Sequence, residues 1–345
     1  MDKQNINAIH TMNINWLTLS KERRIEILNQ TTELTGLPSV AIEKDWWVTL
    51  ALNASFSLPY SNNLVFKGGT SLSKGWNLID RFSEDIDLAI NRNFFGFDGD
   101  ISKTQIKNLR KQSCEFISTT FLADLTKTLT EWKVIDECKL IAQPIKDLDK
   151  DPQVIEIHYN SVIDASEYLP QRILIEVSSR SLMEPIEERK INSIISENFL
   201  QQSFSTVPFA IPTVLPQRTF LEKIFLLHEE FSQDVEKIRI DRLSRHLYDL
   251  EKLMDTEHGI EALKNTDLYN NIVAHREKFN PLRGLDYANH IPSKISILPP
   301  DGVMKDYERD YEAMTSFMIY GEPLKFDHLM KRILELQMRI NGITK

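Results

Sequence analysis

Two aspartates, Asp85 and Asp87, are the residues of this sequence best suited to chemistry. They alternate with isoleucine at the start of the stretch DIDLAI, a pattern typical of a strand entering a core. Because residues two apart on a strand point to the same side, the two carboxylates should lie next to each other. Like charges at this spacing repel unless a cation lies between them, and Mg²⁺ is the usual cation near phosphates. The pair therefore predicts a divalent metal site.

A glycine-rich motif precedes the aspartate pair by one predicted helix. It follows the short apolar run 64–66, which predicts a strand. Two glycines let the backbone approach a ligand closely, and the N–H groups at the start of a helix bind phosphate. Lys67 and Lys74 flank the motif as further phosphate contacts, of which Lys74 has the weaker case. The residues of the motif are Gly68, Gly69, Thr70 and Ser71.

A metal site of this kind needs a third carboxylate from a neighbouring strand. Two metals about 3.5–4 Å apart would then hold the attacking and leaving oxygens of an in-line phosphoryl transfer. Glu176 is the better candidate because it is a lone acid within the apolar run 173–177. The rival is Glu156, which alternates with His158 and therefore fits a strand face open to solvent. Each motif alone also fits an ordinary turn or a solvated strand, so the prediction depends on their combination.

The order of these features resembles the nucleotidyltransferase fold represented by DNA polymerase beta. A closer resemblance is to the AbiEii/AbiGii nucleotidyltransferase-like toxin family, and it extends from about residue 40 to residue 341. The segments that carry it are 43–48 (EKDWWV), 66–74 (FKGGTSLSK), 81–87 (RFSEDID), 219–223 (TFLEK), 245–250 (RHLYDL), 310–314 (DYEAM) and 318–321 (MIYG).

The resemblance implies roles for single residues. Asp85 and Asp87 would bind the metals, Glu176 would complete the set, and Asp249 would support the site from the helical domain. The family's motif is more often written with Gly-Ser, which leaves open whether the Thr70 or the Ser71 hydroxyl contacts phosphate. The residues implied to hold the nucleotide phosphates are Gly69, Thr70, Ser71 and Lys223.

Sequence spacing alone gives Lys223 and Asp249 ordinary roles. Lys223 lies in an amphipathic helical pattern, 220–231, where lysines commonly face water. Asp249 follows Arg245 by four residues, which is a common helical ion pair worth a few tenths of a kcal/mol. The family resemblance, and not the spacing, places both in the site.

The chain length favours two domains. We place their boundary near residue 205, where three prolines are followed by mostly helical patterns. The prediction is an α+β protein in which residues 1–205 form a mixed nucleotidyltransferase-type sheet with flanking helices. Residues 206–345 would form a helical domain that closes the nucleotide cleft. A helix with Leu72, Trp76 and Ile79 on one face should connect the glycine motif to the aspartate pair.

The composition excludes several classes of protein. Forty-one basic against 50 acidic residues give a net charge of −9, so no general basic field is available to hold nucleic acid. Two cysteines cannot form a disulfide scaffold or a multi-cysteine zinc site. The polar amino terminus and the short apolar stretch 46–52 predict neither a signal peptide nor a membrane span. A cytoplasmic location is expected.

Local features could still contact RNA. One basic stripe follows the predicted strand that carries Asp85 and Asp87, and a second is predicted around residues 239–245. Such stripes could bind backbone phosphates, although they are most often solvated helix faces. Trp46 and Trp47 lie about 100° apart on a helix, so one should be buried and one partly exposed. The basic residues of the two stripes are Lys103, Lys107, Arg110 and Lys111, and Arg239, Arg242 and Arg245.

The sequence and its resemblance together predict a Mg²⁺-dependent nucleotidyltransferase. The resemblance implies a toxin of a toxin–antitoxin or phage-defence system, neutralised by a separately encoded antitoxin. Relatives in the wider family modify the 3′ end of tRNA, which makes tRNA the leading acceptor. Two alternatives are an NTP-binding growth inhibitor without nucleotide transfer and a partner-binding protein with a degenerate site.

Overall fold

The structure is a computed structural model that describes residues 14–83, 85–144, 152–164 and 170–343. The polar amino terminus, 1–10, lies outside the described residues. The chain divides into two compact units, the first comprising Met1–Gly75 and Glu84–Thr213 and the second Trp76–Ser83 and Val214–Lys345. The second unit therefore contains a short stretch that a single boundary near residue 205 assigns to the first domain. The catalytic and closing roles of the two domains stay predictions.

The first unit is built on a sheet of seven strands, and the sheet is mixed, as the sequence predicts. The order of the strands is β3-β4-β5-β2-β1-β7-β6. β1 pairs with β7 and β2 with β5 in parallel, whereas the pairs β1/β2, β3/β4 and β4/β5 are antiparallel. The strands are β1 (Leu64–Lys67), β2 (Asp85–Ile90), β3 (Cys138–Ala142), β4 (Gln153–Tyr159), β5 (Arg172–Ser178), β6 (Ile186–Ile191) and β7 (Phe209–Val214).

Alternation along the central strands gives the sheet a buried and a more open face. On β4 and β5 the isoleucines are buried and their polar neighbours are only partly buried. β2 follows the same rule, because Ile86 and Leu88 are buried while Asp85 and Asp87 are half-buried. The two carboxylates therefore lie on one face, as period-two geometry requires.

Seven helices flank this sheet within the part of the unit that the structure describes. Ser20 accepts a hydrogen bond from the Arg23 N–H at the start of α2, which ends at Gly36 with φ +76°. α5 and α6 are joined by a π-helical turn and form one continuous helical segment. The helices are α1 (Asn15–Thr18), α2 (Lys21–Thr35), α3 (Ser39–Phe56), α4 (Gly68–Lys74), α5 (Lys103–Phe116), α6 (Leu122–Glu131) and α7 (Ile194–Asn198).

Two predictions about these helices are wrong. α4 ends at Lys74, so Trp76 and Ile79 do not share its face; Asn77 has φ +52°, which a right-handed helix cannot continue. Trp46 and Trp47 are both buried because α3 is enclosed on nearly all sides. Trp46 packs on Trp47, and Trp47 stacks on Tyr159 with ring centroids 5.0 Å apart.

The described part of the second unit is helical apart from one isolated bridge between Arg81 and Ile319. No helix in the described ranges is both long and apolar enough to cross a membrane. The helices of this unit are α8 (Pro216–Phe231), α9 (Ser244–Leu253), α10 (Glu257–Lys264), α11 (Thr266–Phe279), α12 (Met304–Phe317) and α13 (Phe326–Asn341).

Candidate active site

A row of charged residues crosses three adjacent strands of the first unit. Lys67 at the end of β1 is in register with Asp87 on β2, and Asp87 is in register with Glu176 on β5. Paired residues on neighbouring strands project from the same face of a sheet. Asp85, two residues before Asp87, belongs to that face too. The structure therefore brings three predicted carboxylates and one predicted lysine to one area of the open face.

Glu156, the rival third acid, belongs to the same face but is already engaged. It is in register with Leu174 and not with Glu176. Its carboxylate binds Arg172 at 2.9 Å and His158 at 2.7 Å, and it accepts a hydrogen bond from Gln143 at 2.8 Å. Partial burial raises the pKa of Glu156, but these hydrogen bonds outweigh it and lower the pKa overall. Register thus favours Glu176 as the third acid.

Gly68 connects the glycine motif directly to the aspartate pair. Its φ of +79° lies in the left-handed region, which L-residues with side chains rarely adopt. A Cβ added here would overlap the Asp87 carboxylate, with Cγ of Asp87 at 2.6 Å and its Cβ at 2.9 Å. Only glycine therefore lets the start of α4 lie against this carboxylate.

The two hydroxyls of the motif hold the turn in place. Thr70 donates a hydrogen bond to the backbone carbonyl of Asp85, and Ser71 donates to the Gly68 carbonyl at 2.8 Å. Both residues are fully buried. In an α-helix the N–H groups of the first turn have no intrahelical partner. The structure therefore favours backbone N–H groups of the motif, which includes Gly69, over the Thr70 and Ser71 hydroxyls as donors to a phosphate.

The two flanking lysines have different environments. Lys74 lies at the end of α4, where its Nζ is 2.5 Å from Oδ1 of Asp45 and donates to the Asn192 carbonyl at 3.0 Å. Its side chain is almost completely buried. Lys67 is half-buried in the charged row. Of the two lysines, Lys67 is the better placed for a phosphate contact.

The acids of the row have the chemistry of a magnesium site without a closed set of ligands. No group of three or more His, Cys, Asp or Glu side chains is arranged around a metal position within the described ranges. Asp85, Asp87 and Glu176 nevertheless offer only carboxylate oxygens, the ligands that Mg²⁺ prefers. The chemistry of these side chains therefore fits a divalent cation, which the three residues would hold.

Lys223 and Asp249, the predicted site residues of the second unit, form a buried ion pair. Lys223 Nζ is 2.9 Å from Asp249 Oδ2 and 3.2 Å from Nδ1 of His246. Arg81 holds the same carboxylate through two bonds, from Nε to Oδ1 at 2.6 Å and from Nη2 to Oδ2 at 2.8 Å. Lys223 is only 7% exposed, so it does not face water as the amphipathic spacing alone would suggest. Asp249 binds two cations outside its own helix, and the simple i, i+4 interpretation does not describe it.

Burial and charge set the protonation states in this cluster. Burial alone would raise the pKa of Asp249, but Arg81 and Lys223 hold it well below its usual range. Burial lowers the pKa of Lys223, against the opposing effect of Asp249. Burial, followed by the neighbouring ammonium of Lys223, holds the pKa of His246 well below its usual value, so this imidazole is neutral.

No role is predicted for Arg81 from the sequence, although its place at the start of a family segment is a signal. Arg81 opens the family segment 81–87 and is 1% exposed. It pairs with a residue 168 positions away, and no periodic pattern could indicate that partner. Neighbouring backbone groups secure its segment, because Phe82 N–H donates to Met318 O and Tyr320 N–H donates to Asp80 O.

The two basic stripes differ in the structure. Lys103, Lys107 and Lys111 are exposed on α5, and Arg110 is partly buried beside them. The second stripe does not lie on one helix, because α9 begins only at Ser244 and includes Arg245 but not Arg239 or Arg242.

Two arginines of the second stripe have local partners before α9 begins. Arg239 pairs with Glu230 at 2.5 Å. Arg242 has φ +59°, and its backbone N–H donates to Asp310 at 2.7 Å. The prediction of a helical stripe here is therefore wrong.

Comparison with solved structures finds two from Helicobacter pylori. The crystal structure of JHP933 has a TM-score of 0.37 and 16% sequence identity, and the match covers 88% of this chain and 91% of that one. A second protein, provisionally named a nucleotidyltransferase, has a TM-score of 0.35 and 16% identity over 93% and 94% of the two chains. A search of curated proteins finds no match.

The family model described as "Nucleotidyl transferase AbiEii toxin, Type IV TA system" matches residues 51–332. This range includes the glycine motif, the aspartate pair, Glu176 and the Lys223–Asp249 ion pair. Because the match covers most of the sequence, this chain belongs to the AbiEii nucleotidyl transferase toxin family of type IV toxin–antitoxin systems.

Proposed function

We propose that this protein is a Mg²⁺-dependent nucleotidyltransferase that transfers a nucleoside monophosphate from an NTP to an acceptor hydroxyl and releases pyrophosphate. The observation that carries the proposal is the register of Asp87 with Glu176, with Gly68 pressed against the Asp87 carboxylate. The proposal is supported by carboxylate oxygens that lie beside a turn in which Gly68 has no side chain. Such a site suits a metal-bound triphosphate.

In this proposal Asp85 and Asp87 bind Mg²⁺, and Glu176 completes the metal site or accepts the proton of the attacking hydroxyl. Bound Mg²⁺ would offset the charge that develops on the transferring phosphate. The backbone of Gly68 and Gly69 orients the triphosphate, and Lys67 adds a positive charge on the same face. Positioning and electrostatic stabilisation, without a covalent intermediate, supply most of the rate enhancement.

Lys223 is proposed to contact the triphosphate, and Asp249 to hold Lys223 in place. The ion pair of 2.9 Å supports the second role, because Asp249 fixes the position of the ammonium. The family resemblance supports the first, because Lys223 lies in the matched lysine motif.

The family assignment supports the biological part of the proposal. The protein would act as a cytoplasmic toxin in phage defence, together with a separately encoded antitoxin. The 3′ end of tRNA is the proposed acceptor. The exposed lysines of α5 offer a local basic surface for a polynucleotide on a chain with a net charge of −9.

The test is incubation of the pure protein with each labelled NTP, Mg²⁺ and total RNA. We expect label in RNA with one or more nucleotides, and its loss in Asp87→Asn. Asp98→Asn is the matched control, because Asp98 is an exposed aspartate of the same unit. NTP binding without labelled product, over several metals and RNAs, would instead favour a growth inhibitor without transfer. If no NTP changes the thermal stability, the alternative of a partner-binding protein with a degenerate site is favoured.

A further inference from the structure

Three consecutive charged residues of α3 are buried, and each binds a different segment of the first unit. Glu43, Lys44 and Asp45 are all at most 3% exposed. Glu43 accepts hydrogen bonds from Ser161 and from the Val162 N–H, and Lys44 donates to the carbonyl of Pro170 at 2.8 Å. Charged side chains are almost never fully buried unless they are paired. Their partners therefore indicate what each one holds.

Asp45 holds the helix that begins with the glycine motif. Its Oδ1 is 2.5 Å from the ammonium of Lys74, the last residue of α4, and its Oδ2 accepts a hydrogen bond from the Ile194 N–H at 2.8 Å. Lys74 also donates to the carbonyl of Asn192, next to that segment. One carboxylate thus connects α3, α4 and the start of α7.

The other end of α4 is attached to β2. Thr70 donates to the Asp85 carbonyl, and Gly68 lies against the Asp87 carboxylate. A helix of only seven residues that is fixed at both ends cannot shift along the sheet without breaking one of these contacts. The Asp45–Lys74 pair therefore determines where the backbone of Gly68 and Gly69 lies relative to the aspartate pair.

We infer that Asp45 is a positioning residue for the phosphate-binding turn and acts through Lys74, which is itself a structural cation. The inference rests on the proposed function for its effect on NTP, but not for its effect on α4. The inference also means that Lys74 is not one of the residues that bind phosphate. Lys74 is the last residue of α4, at the opposite end of the helix from the glycine turn, and its ammonium binds Asp45 and the Asn192 carbonyl there.

The first measurement needs no nucleotide. Hydrogen exchange of the backbone amides of α4 is compared in the full chain and in Asp45→Asn, with Glu43→Gln as the control. Glu43→Gln also removes a buried carboxylate from α3, but one that binds the segment around residue 162. We expect exchange at residues 71–75 to accelerate at least about tenfold in Asp45→Asn and to stay unchanged in Glu43→Gln. Equal protection of α4 in both variants would overturn the inference.

The second measurement is the apparent KM for NTP in the transfer assay. Asp45→Asn and Lys74→Met should each raise this KM about fivefold or more. Because the two residues act as a pair, the KM of the double variant should not exceed that of the single variant with the higher KM. Lys74→Arg, which keeps the cation, should recover most of the affinity. A rise confined to the Lys74 variants would show a direct phosphate contact and refute the inference.

The two experiments separate this inference from the proposed function. If the wild-type protein transfers no nucleotide but Asp45→Asn still releases α4, the proposed function fails and the positioning role stands. If transfer occurs and neither α4 exchange nor KM responds to Asp45→Asn, the positioning role fails alone. Should Asp45→Asn not fold, the double variant Asp45→Asn/Lys74→Met removes both buried charges and allows the same measurements.

Discussion

Asp87 of the first unit and Asp249 of the second unit have opposite environments. Asp87 is half-buried on an open sheet face, beside a glycine and in register with another carboxylate. Asp249 is fully buried and already holds an arginine and a lysine. A carboxylate on an open face suits a ligand, whereas one that is neutralised inside the fold stabilises the protein and fixes its partners. The comparison teaches that the two motif aspartates should fail in different ways when they are replaced.

Replacement of Asp249 should have the largest effect. In Asp249→Asn the cations of Arg81 and Lys223 stay buried without their anion, which should lower the free energy of unfolding by about 3–5 kcal/mol. Urea denaturation followed by circular dichroism measures this loss. Asp301→Asn, an exposed aspartate of the same unit, should change it by less than about 0.5 kcal/mol. If Asp249→Asn lowered the free energy of unfolding by less than about 1 kcal/mol, the proposed difference between Asp87 and Asp249 would be contradicted.

Replacement of Asp87 should affect activity and not stability. We expect Asp87→Asn to reduce the rate of nucleotide transfer at least about 100-fold, because a proposed ligand of the Mg²⁺ that stabilises the transferring phosphate is lost. The free energy of unfolding should change by less than about 1 kcal/mol, since the carboxylate is half-buried and repulsion from Asp85 and Glu176 opposes its attraction to Lys67. Initial rates and urea denaturation on one preparation give both numbers. Parallel loss of rate and stability would mean that Asp87 is a structural residue like Asp249.

Addition of a single methyl group should sharpen this result. Gly68→Ala places a Cβ on the Asp87 carboxylate and forces φ +79° on a residue with a side chain, so we expect a cost of about 2–4 kcal/mol and loss of transfer. Gly96 has the same φ, and a Cβ there meets nothing within 4 Å. Gly96→Ala should therefore cost only about 1–2 kcal/mol and retain activity. Thermal denaturation and the transfer assay measure the difference, and equal effects would contradict a close approach at Gly68.

The smallest predicted effect concerns pH and the second unit. Burial, with a smaller effect of the neighbouring His290, lowers the pKa of His228 to about 4. Below pH 6.5 the unfolded chain takes up a proton that the folded protein refuses, so stability falls as pH falls. Between pH 6.5 and 5.5 this should cost about 1 kcal/mol.

The comparison variant for this effect is His228→Gln, which should lose about 1 kcal/mol less than the wild-type protein over the same interval. Urea denaturation at pH 6.5 and 5.5 measures the two slopes. An identical pH dependence in both proteins would show that His228 is not the group responsible.

Strand β2, which carries Asp85 and Asp87, could be predicted because the alternation in DIDLAI specifies it locally. The burial of Lys223 could not be predicted, because α8 is enclosed on nearly all sides and amphipathic spacing then carries no information about a single lysine. The positions of Lys74 and Arg81 depend on Asp45 and Asp249, which are distant in sequence and leave no periodic trace.

The membership of residues 76–83 in the second unit affects how this chain folds during synthesis and how fragments of it should be designed. During synthesis Arg81 leaves the ribosome 168 residues ahead of the carboxylate that it must bind. The buried ion pair can therefore close only when most of the polypeptide has been translated. A fragment that starts at residue 214 would lack one of the two cations bound to Asp249, however well its helices form. A truncation study should therefore supply the peptide 76–83 in trans or fuse it to the fragment.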